Sequence, residues 1–331
     1  MNSIDSAGSL SADTDKGKSR MVRSAAAIGA GTIGSSWATL FCTRGIQVWV
    51  YDLTTELLEA AERESTRILR FLEQHDKLDE PVALVKQRMH FTTSIERAVK
   101  DADYVQESCS ESYEVKKEIF TQLDSLCSKE VLLASSTSGL LMSEIQKETS
   151  APERCVIVHP VNPPHLMPVV EVVPGSKTSA ATIGRACEFC RSLGRVPVRL
   201  RKEIPGYVIN RIGAALWREA IDLVANDVVS VEDVDRAVSL GPGLRWALMG
   251  PYLVYHLGGG RAGIEGFMKH LGPAFETWWE SMSTWTSLPP GAAEKVISGV
   301  GEEIGVRGIE ELSNERDEKL LQLLHLLGRE P

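Results

Sequence analysis

His159 closes the apolar run Cys155-Val156-Ile157-Val158, and Glu171 stands between Val169-Val170 and Val172-Val173. An imidazole at a strand end is often a satisfied core residue. A carboxylate among four valines is odder, because an ionised acid in such a strand is costly unless it is partnered. The simplest reading pairs the two. Glu171 accepts a hydrogen bond from one nitrogen of His159, which fixes the tautomer and raises the basicity of the other nitrogen. Such a pair can take a proton from a hydroxyl.

A second motif says what that base would work beside. Gly29-Ala30-Gly31-Thr32-Ile33-Gly34 is a G-x-G-x-x-G. Alone it is weak, but here it follows an apolar run, opens a helical pattern, and is followed by an acid, Asp52, at the end of the next strand. Gly29 permits the tight turn, Gly31 lets the backbone approach a pyrophosphate, and Gly34 lets helix and strand pack closely. Phosphates would rest on the helix N-terminus at Thr32 and Ile33, where unpaired N–H groups and the dipole favour anions. Asp52 would accept from the adenine ribose, and its charge would repel a 2′-phosphate, so NAD is expected over NADP. The bland alternative is a packing turn and a solvated strand-end acid.

These residues need a scaffold, and the pattern around them supplies one. Ser24–Ile28 reads as a strand, Thr32–Arg44 as a helix, and Ile46–Asp52 as a strand. Residues 54–90 are charged and helix-periodic, the pattern of a helical hairpin inserted between strands. Strand and helix signals then alternate: Tyr104–Glu107, Val115–Leu126, Val131–Ser135, Ser143–Thr149, Cys155–His159, Val169–Val173, Thr182–Leu193 and Arg195–Leu200. Alternation at this pitch implies a parallel, doubly wound sheet. Pro205-Gly206 breaks the pattern. Beyond it the chain reads as helices over Tyr207–Asn226, Val231–Leu240, Gly263–His270, Ala292–Ile297 and Glu310–Leu327. The expected fold is α/β, a Rossmann-type doubly wound sheet followed by an all-helical domain. The expected boundaries are a disordered tail over 1–22, a dinucleotide-binding domain over 23–203, and a helical substrate and dimerisation domain over 204–331.

Composition narrows the function classes. The 331 residues include 36 Lys+Arg against 45 Asp+Glu, a net charge of −9. Such a surface repels nucleic acid and anionic membrane, so neither is expected as a partner. No stretch approaches the roughly 20 apolar residues of a membrane span. Six scattered cysteines without a secretory pattern point to reduced thiols and a cytoplasmic protein. Cys187 and Cys190 form a C-x-x-C inside a helical pattern with no second pair, so they read as a helix face touching the core, and no metal is expected.

Taken in order, the glycine fingerprint, Ser136-Thr137-Ser138-Gly139-Leu140, His159-Pro160-Val161-Asn162-Pro163, the Glu171 strand and Gly206-Tyr207-Val208-Ile209-Asn210-Arg211 resemble the L-3-hydroxyacyl-CoA dehydrogenase superfamily. The resemblance covers about residues 24–270. It is closer to the short-acid branch of lambda-crystallin/L-gulonate 3-dehydrogenase and L-carnitine dehydrogenase. It implies His159 as general base and Glu171 as its orienting partner. Ser138 would hydrogen-bond the substrate hydroxyl and Asn210 would hold the substrate oxygen. Glu111 and Lys116 would meet the nicotinamide-side ribose, with Asn162 near the nicotinamide. The bland readings are a turn serine, a helix-packing amide and an ordinary solvated ion pair.

Residues 54–90 carry more acids than bases, which weighs against the phosphates of CoA. Arg245, in Gly243-Leu244-Arg245-Trp246, would pair a free carboxylate bidentately, or else form a surface or interdomain salt bridge. Tyr252, Tyr255 and Trp278-Trp279 look more like the carnitine enzymes, whose trimethylammonium group suits an aromatic cage with Trp246 and Tyr252 at the substrate. Aromatics at this spacing are also ordinary core or interface residues. The resemblance therefore leaves a small hydroxy acid as partner, with carnitine first, gulonate or another short 3-hydroxy acid next, and an acyl-CoA third. It also implies a homodimer through the helical domain, with Trp217, Val224 and Leu240 as candidates. A non-catalytic, crystallin-like scaffold is the rival of another class.

Overall fold

The structure, a computed structural model, describes residues 21–329. The expected disordered tail therefore lies, save for Met21 and Val22, outside the described residues. The chain divides into two compact units that part between Glu203 and Ile204.

The first unit carries one sheet, eight-stranded among the described residues, in the order β3-β2-β1-β4-β5-β6-β7-β8. β1 (Ser24–Ile28), β2 (Gln47–Tyr51) and β3 (Met89–Thr92) form one half, with α1 (Thr32–Thr43), α2 (Thr55–Gln74) and α3 (Val82–Lys86) between them in sequence. α4 (Ile95–Val99) leads into β4 (Tyr104–Glu107). α5 (Tyr113–Leu126), β5 (Leu132–Ser135), α6 (Met142–Ile145) and β6 (Cys155–Pro160) follow, then β7 (Val169–Pro174), α7 (Ala180–Ser192) and β8 (Val196–Arg199). β1 is central, and Ala25, Ala26 and Ala27 are fully buried. Leu58, Ala61, Ile68, Leu69 and Leu72 recur on one face of α2 at the spacing of an amphipathic helix, which is why that face is buried. Thr54 caps it by accepting the Leu57 N–H at 3.4 Å.

The sheet departs from the all-parallel expectation at one place. β6 and β7 pair antiparallel. Parallel neighbours need a crossover of a dozen or more residues, usually a helix. Only residues 161–168 join these two strands, so the chain must turn straight back. The region read as a helical hairpin also ends in a short strand, β3, paired parallel to β2.

The second unit is helical: α8 (Ile209–Ala225), α9 (Val231–Val238), α10 (Leu244–Leu248), α11 (Pro251–Gly258), α12 (Gly263–His270), α13 (Gly272–Ser281), α14 (Ala292–Ile304) and α15 (Ile309–Leu326). α14 packs against α8 and α9. Asp222 of α8 accepts the Trp285 indole N–H at 3.0 Å and ties down the segment after α13. A π-turn over Ser239–Gly243, bent at Gly241 and holding Pro242, separates α9 from α10. Among the described residues no helix is long and apolar enough to cross a membrane.

Candidate active site

The antiparallel turn-back sets His159 directly opposite Glu171 in the β6–β7 register. Cross-strand neighbours at this spacing can touch, and these do: His159 Nδ1 lies 2.9 Å from Glu171 Oε2. Glu171 is fully buried and His159 nearly so. The carboxylate accepts the Nδ1–H, which leaves Nε2 with the ring's lone pair.

The glycine turn lies at the C-terminal end of β1. Gly29 adopts φ +97°, and a Cβ there would meet the Ser108 backbone at 2.7 Å. A Cβ on Gly34 would stand 1.8 Å from the Gly29 carbonyl oxygen, so helix and turn touch through a missing side chain. Gly31 is different: it is exposed and nothing lies within 4 Å of its would-be Cβ. The protein itself gives no reason for a glycine there, and a ligand laid against the backbone does. α1 opens at Gly31 without a side-chain cap, so its first N–H groups, at Thr32 and Ile33, stay available to an anion. Asp52 is not a merely solvated acid. Its Oδ2 accepts the Ala30 N–H and its Oδ1 the Leu53 N–H, each at 2.7 Å. These residues fit a dinucleotide diphosphate and ribose.

Between the two motifs lies a polar network. Glu111 Oε1 accepts from Thr137 Oγ1 at 2.6 Å, from the Ser138 N–H at 2.9 Å and from Ser138 Oγ at 3.2 Å. Partial burial alone would raise the Glu111 carboxyl, but the Thr137 hydroxyl, the Lys116 ammonium and Ser138 outweigh it and hold it below the usual carboxylate range. Lys116 is 1% exposed, so it is no solvated helix-start lysine. Its Nζ donates to Glu107 Oε1 at 2.7 Å and lies 3.6 Å from Glu111 Oε2. Glu107 is not among the residues singled out from the sequence. The signal was present: like Glu171, it is an acid in a strand buried at every position. Ser36 and His165 were also passed over. The Ser36 hydroxyl lies 2.8 Å from His165 Nδ1 and accepts the His165 N–H at 3.0 Å, tethering α1 to the loop that carries exposed Asn162.

Cys109, in the loop after β4, is pushed up to about 12 by burial, and so is Cys190. All six cysteines are free, and no group of metal-holding side chains occurs among the described residues.

On the helical unit, Asn210 is the second residue of α8, Arg245 and Trp246 lie on α10, and Tyr252 on α11. Arg245 is exposed and makes no salt bridge among the described residues. Tyr252 is 82% exposed. Tyr255, Trp278 and Trp279 do not form an open cage with it. All three touch the Phe275 ring, at centroid distances of 5.6, 4.8 and 6.0 Å, while Trp278 and Trp279 stay 54% and 61% exposed.

The sequence matches the 3-hydroxyacyl-CoA dehydrogenase NAD binding domain over residues 24–204 and the 3-hydroxyacyl-CoA dehydrogenase C-terminal domain over 206–297. An L-carnitine dehydrogenase from Pseudomonas aeruginosa is 39% identical, over 92% of this chain and 93% of its own. One from Streptomyces coelicolor is 36% identical, over 93% and 96%. Among solved structures, 5-formyl-3-hydroxy-2-methylpyridine 4-carboxylic acid 5-dehydrogenase, an NAD+-dependent dismutase, superposes with a TM-score of 0.80 at 30% identity, covering 94% of this chain and all of that one. The 3-hydroxybutyryl-CoA dehydrogenase of Escherichia coli gives 0.67 at 31%, covering 85% of this chain and 57% of that one.

Proposed function

Because this chain belongs to the 3-hydroxyacyl-CoA dehydrogenase family and is an NAD-dependent dehydrogenase, we propose that it oxidises the 3-hydroxyl of a small free hydroxy acid to the 3-oxo acid, with L-carnitine as the first candidate. The observation that carries this reading is the buried 2.9 Å contact between His159 and Glu171. When bound, NAD supplies the hydride acceptor. Gly29, Gly31, Gly34 and the α1 N-terminus at Thr32 and Ile33 hold its diphosphate and Asp52 its adenine ribose. Glu111 would meet the second ribose, with buried Lys116 behind it rather than in contact, and Asn162 would meet the nicotinamide.

His159 Nε2 takes the proton of the substrate hydroxyl, and Glu171 stabilises the imidazolium that results. The Ser138 hydroxyl, turning its one proton from Glu111 to the substrate, and Asn210 hydrogen-bond the substrate oxygen as it gains negative charge, where such donors count most. In the reverse direction His159 returns the proton.

The substrate assignment leans on the relatives named L-carnitine dehydrogenase and on Arg245, an exposed guanidinium with no salt bridge among the described residues. Arg245 would take the substrate carboxylate in a two-point contact. Trp246 and Tyr252, exposed on the same helical unit, would meet a trimethylammonium group. NADH formation with L-carnitine, L-gulonate and 3-hydroxybutyryl-CoA tests this. The free acids should react, carnitine fastest. Turnover of the thioester alone would overturn the reading, and reaction with none would favour a scaffold protein.

The same reading places the protein in the cytoplasm as a homodimer through its helical unit. Trp217 and Leu240 are 64% and 70% exposed there, and Val224 is half-buried. Sedimentation of Trp217→Glu beside the parent checks it: an unchanged mass for both would remove Trp217 from any interface.

A further inference from the structure

Glu107 closes β4 and is wholly buried, and Lys116, in the first turn of α5, is buried with it. Every oxygen of this carboxylate is used. Oε1 accepts the Cys109 N–H at 2.6 Å and the Lys116 ammonium at 2.7 Å, and Oε2 accepts the Ser135 hydroxyl at 2.5 Å. Lys116 thus stands between two carboxylates and leans to one. It bonds Glu107 and the Cys109 carbonyl at 3.2 Å, and stays 3.6 Å from Glu111 Oε2. That gap leaves Glu111 Oε1 on Thr137 and Ser138.

We infer that Glu107 is a positioning residue for the proton-transfer site: by holding the Lys116 charge it keeps Glu111 on the Thr137-Ser138 turn, and so sets where the Ser138 hydroxyl stands. The inference rests on the NAD-dependent reading of the site. Its physical basis is the cost of an unpaired buried charge. Without the Glu107 charge, Lys116 has one carboxylate left within reach. An ammonium–carboxylate bond closes to roughly 2.8 Å, so Lys116 and Glu111 would draw together by most of an ångström. Oε1 would leave the Ser138 N–H, and the turn carrying the Ser138 hydroxyl would lose its anchor. A misplacement of about 1 Å at a reacting centre costs on the order of 100-fold in rate.

The test compares Glu107→Gln with the double variant Glu107→Gln/Lys116→Met. It reads kcat, KM for the hydroxy acid, and NADH affinity by fluorescence titration. Glu107→Gln should lower kcat by about 10-fold or more and weaken NADH binding several-fold. In the double variant the stray ammonium is gone and Glu111 returns to Ser138. Its kcat should rise above that of Glu107→Gln while NADH binding stays weak. A merely structural role predicts the opposite, a double variant worse than the single in every respect. A Glu107→Gln enzyme within twofold of the parent in kcat and NADH affinity, or a double variant no faster than the single, overturns the inference. Should Glu107→Gln fail to fold by circular dichroism, Ser135→Ala removes only the bond to Oε2. It should lower kcat with the hydroxy-acid KM unchanged, and a parental kcat would overturn the inference equally. NADH titration separates this from the substrate reading. A parent that binds NADH but oxidises no acid sinks that reading, and NADH affinity in Glu107→Gln still decides the role of Glu107.

Discussion

A histidine serves as a base only when one ring nitrogen keeps its lone pair and the charge it gains has somewhere to be balanced. Glu171 meets both needs from a fully buried position 2.9 Å away. Substituting the ring removes the proton acceptor without touching the glycine turn on β1. His159→Gln is therefore expected to lose about 10²- to 10⁴-fold in kcat with NADH affinity unchanged. Glu171→Gln should keep the ring's orientation but not the charge that stabilises the imidazolium, and so lose less. Stopped assays and NADH titration on both variants check this. Near-parental turnover in His159→Gln would remove it from the proton-transfer role.

At the scale of the element, the first turn of α1 separates glycines needed for the fold from one needed for a ligand. A Cβ at Gly34 would collide with the Gly29 carbonyl, so helix and turn could not close together. Gly34→Ala should cost about 1–3 kcal/mol through overpacking. Gly31 has φ −68° and open space around it, so alanine fits its backbone without strain. Gly31→Ala should unfold within about 0.5 kcal/mol of the parent yet bind NADH at least about 10-fold more weakly, the equivalent of roughly 1.4 kcal/mol. Chemical denaturation and NADH titration separate the two. Equal NADH affinity in parent and Gly31→Ala would mean that the diphosphate does not lie on this turn.

At the scale of the molecule, the first unit is held laterally by a buried ion pair far from the chemistry. Arg154, just before β6, donates to Asp124 Oδ1 of α5 at 2.7 Å, and also to the Asp124 and Ser128 carbonyls. The Asp124 Oδ2 accepts both the Ser150 N–H and its hydroxyl at 2.6 Å. Burial would raise this carboxyl, but Ser150 and Arg154 outweigh it and hold it well below the usual range. A depressed folded value means that the stabilisation is complete above the ordinary aspartate range, near pH 4. It is lost as the pH falls from there through the folded value. Asp124→Asn leaves Arg154 buried without its counter-charge and should cost about 3–5 kcal/mol. The loss should be visible at pH 7 by denaturant titration, and the gap between variant and parent should shrink only at strongly acid pH. A gap that does not change with acidification would separate the effect from the Asp124 charge.

Much of this was legible along the chain. The fingerprint with its following acid, the break at Pro205-Gly206 and the oddness of Glu171 among valines are local patterns, and local pattern reports backbone conformation and burial. Helices with a proline in their first two residues, α11 and α13, were passed over because their aromatic and glycine-rich sequences show no single apolar face. β3 was missed because four residues at a sheet edge carry too little periodicity. What the sequence alone determined is the alternation of most strands and helices in the first unit and the residue types able to do the chemistry. Tertiary structure alone decided the antiparallel return of β7, which places His159 against Glu171, and the division of Lys116 between Glu107 and Glu111. Both depend on pairing across strands and turns, and hydrophobic periodicity, which repeats every few residues, carries no record of which distant segment lies alongside.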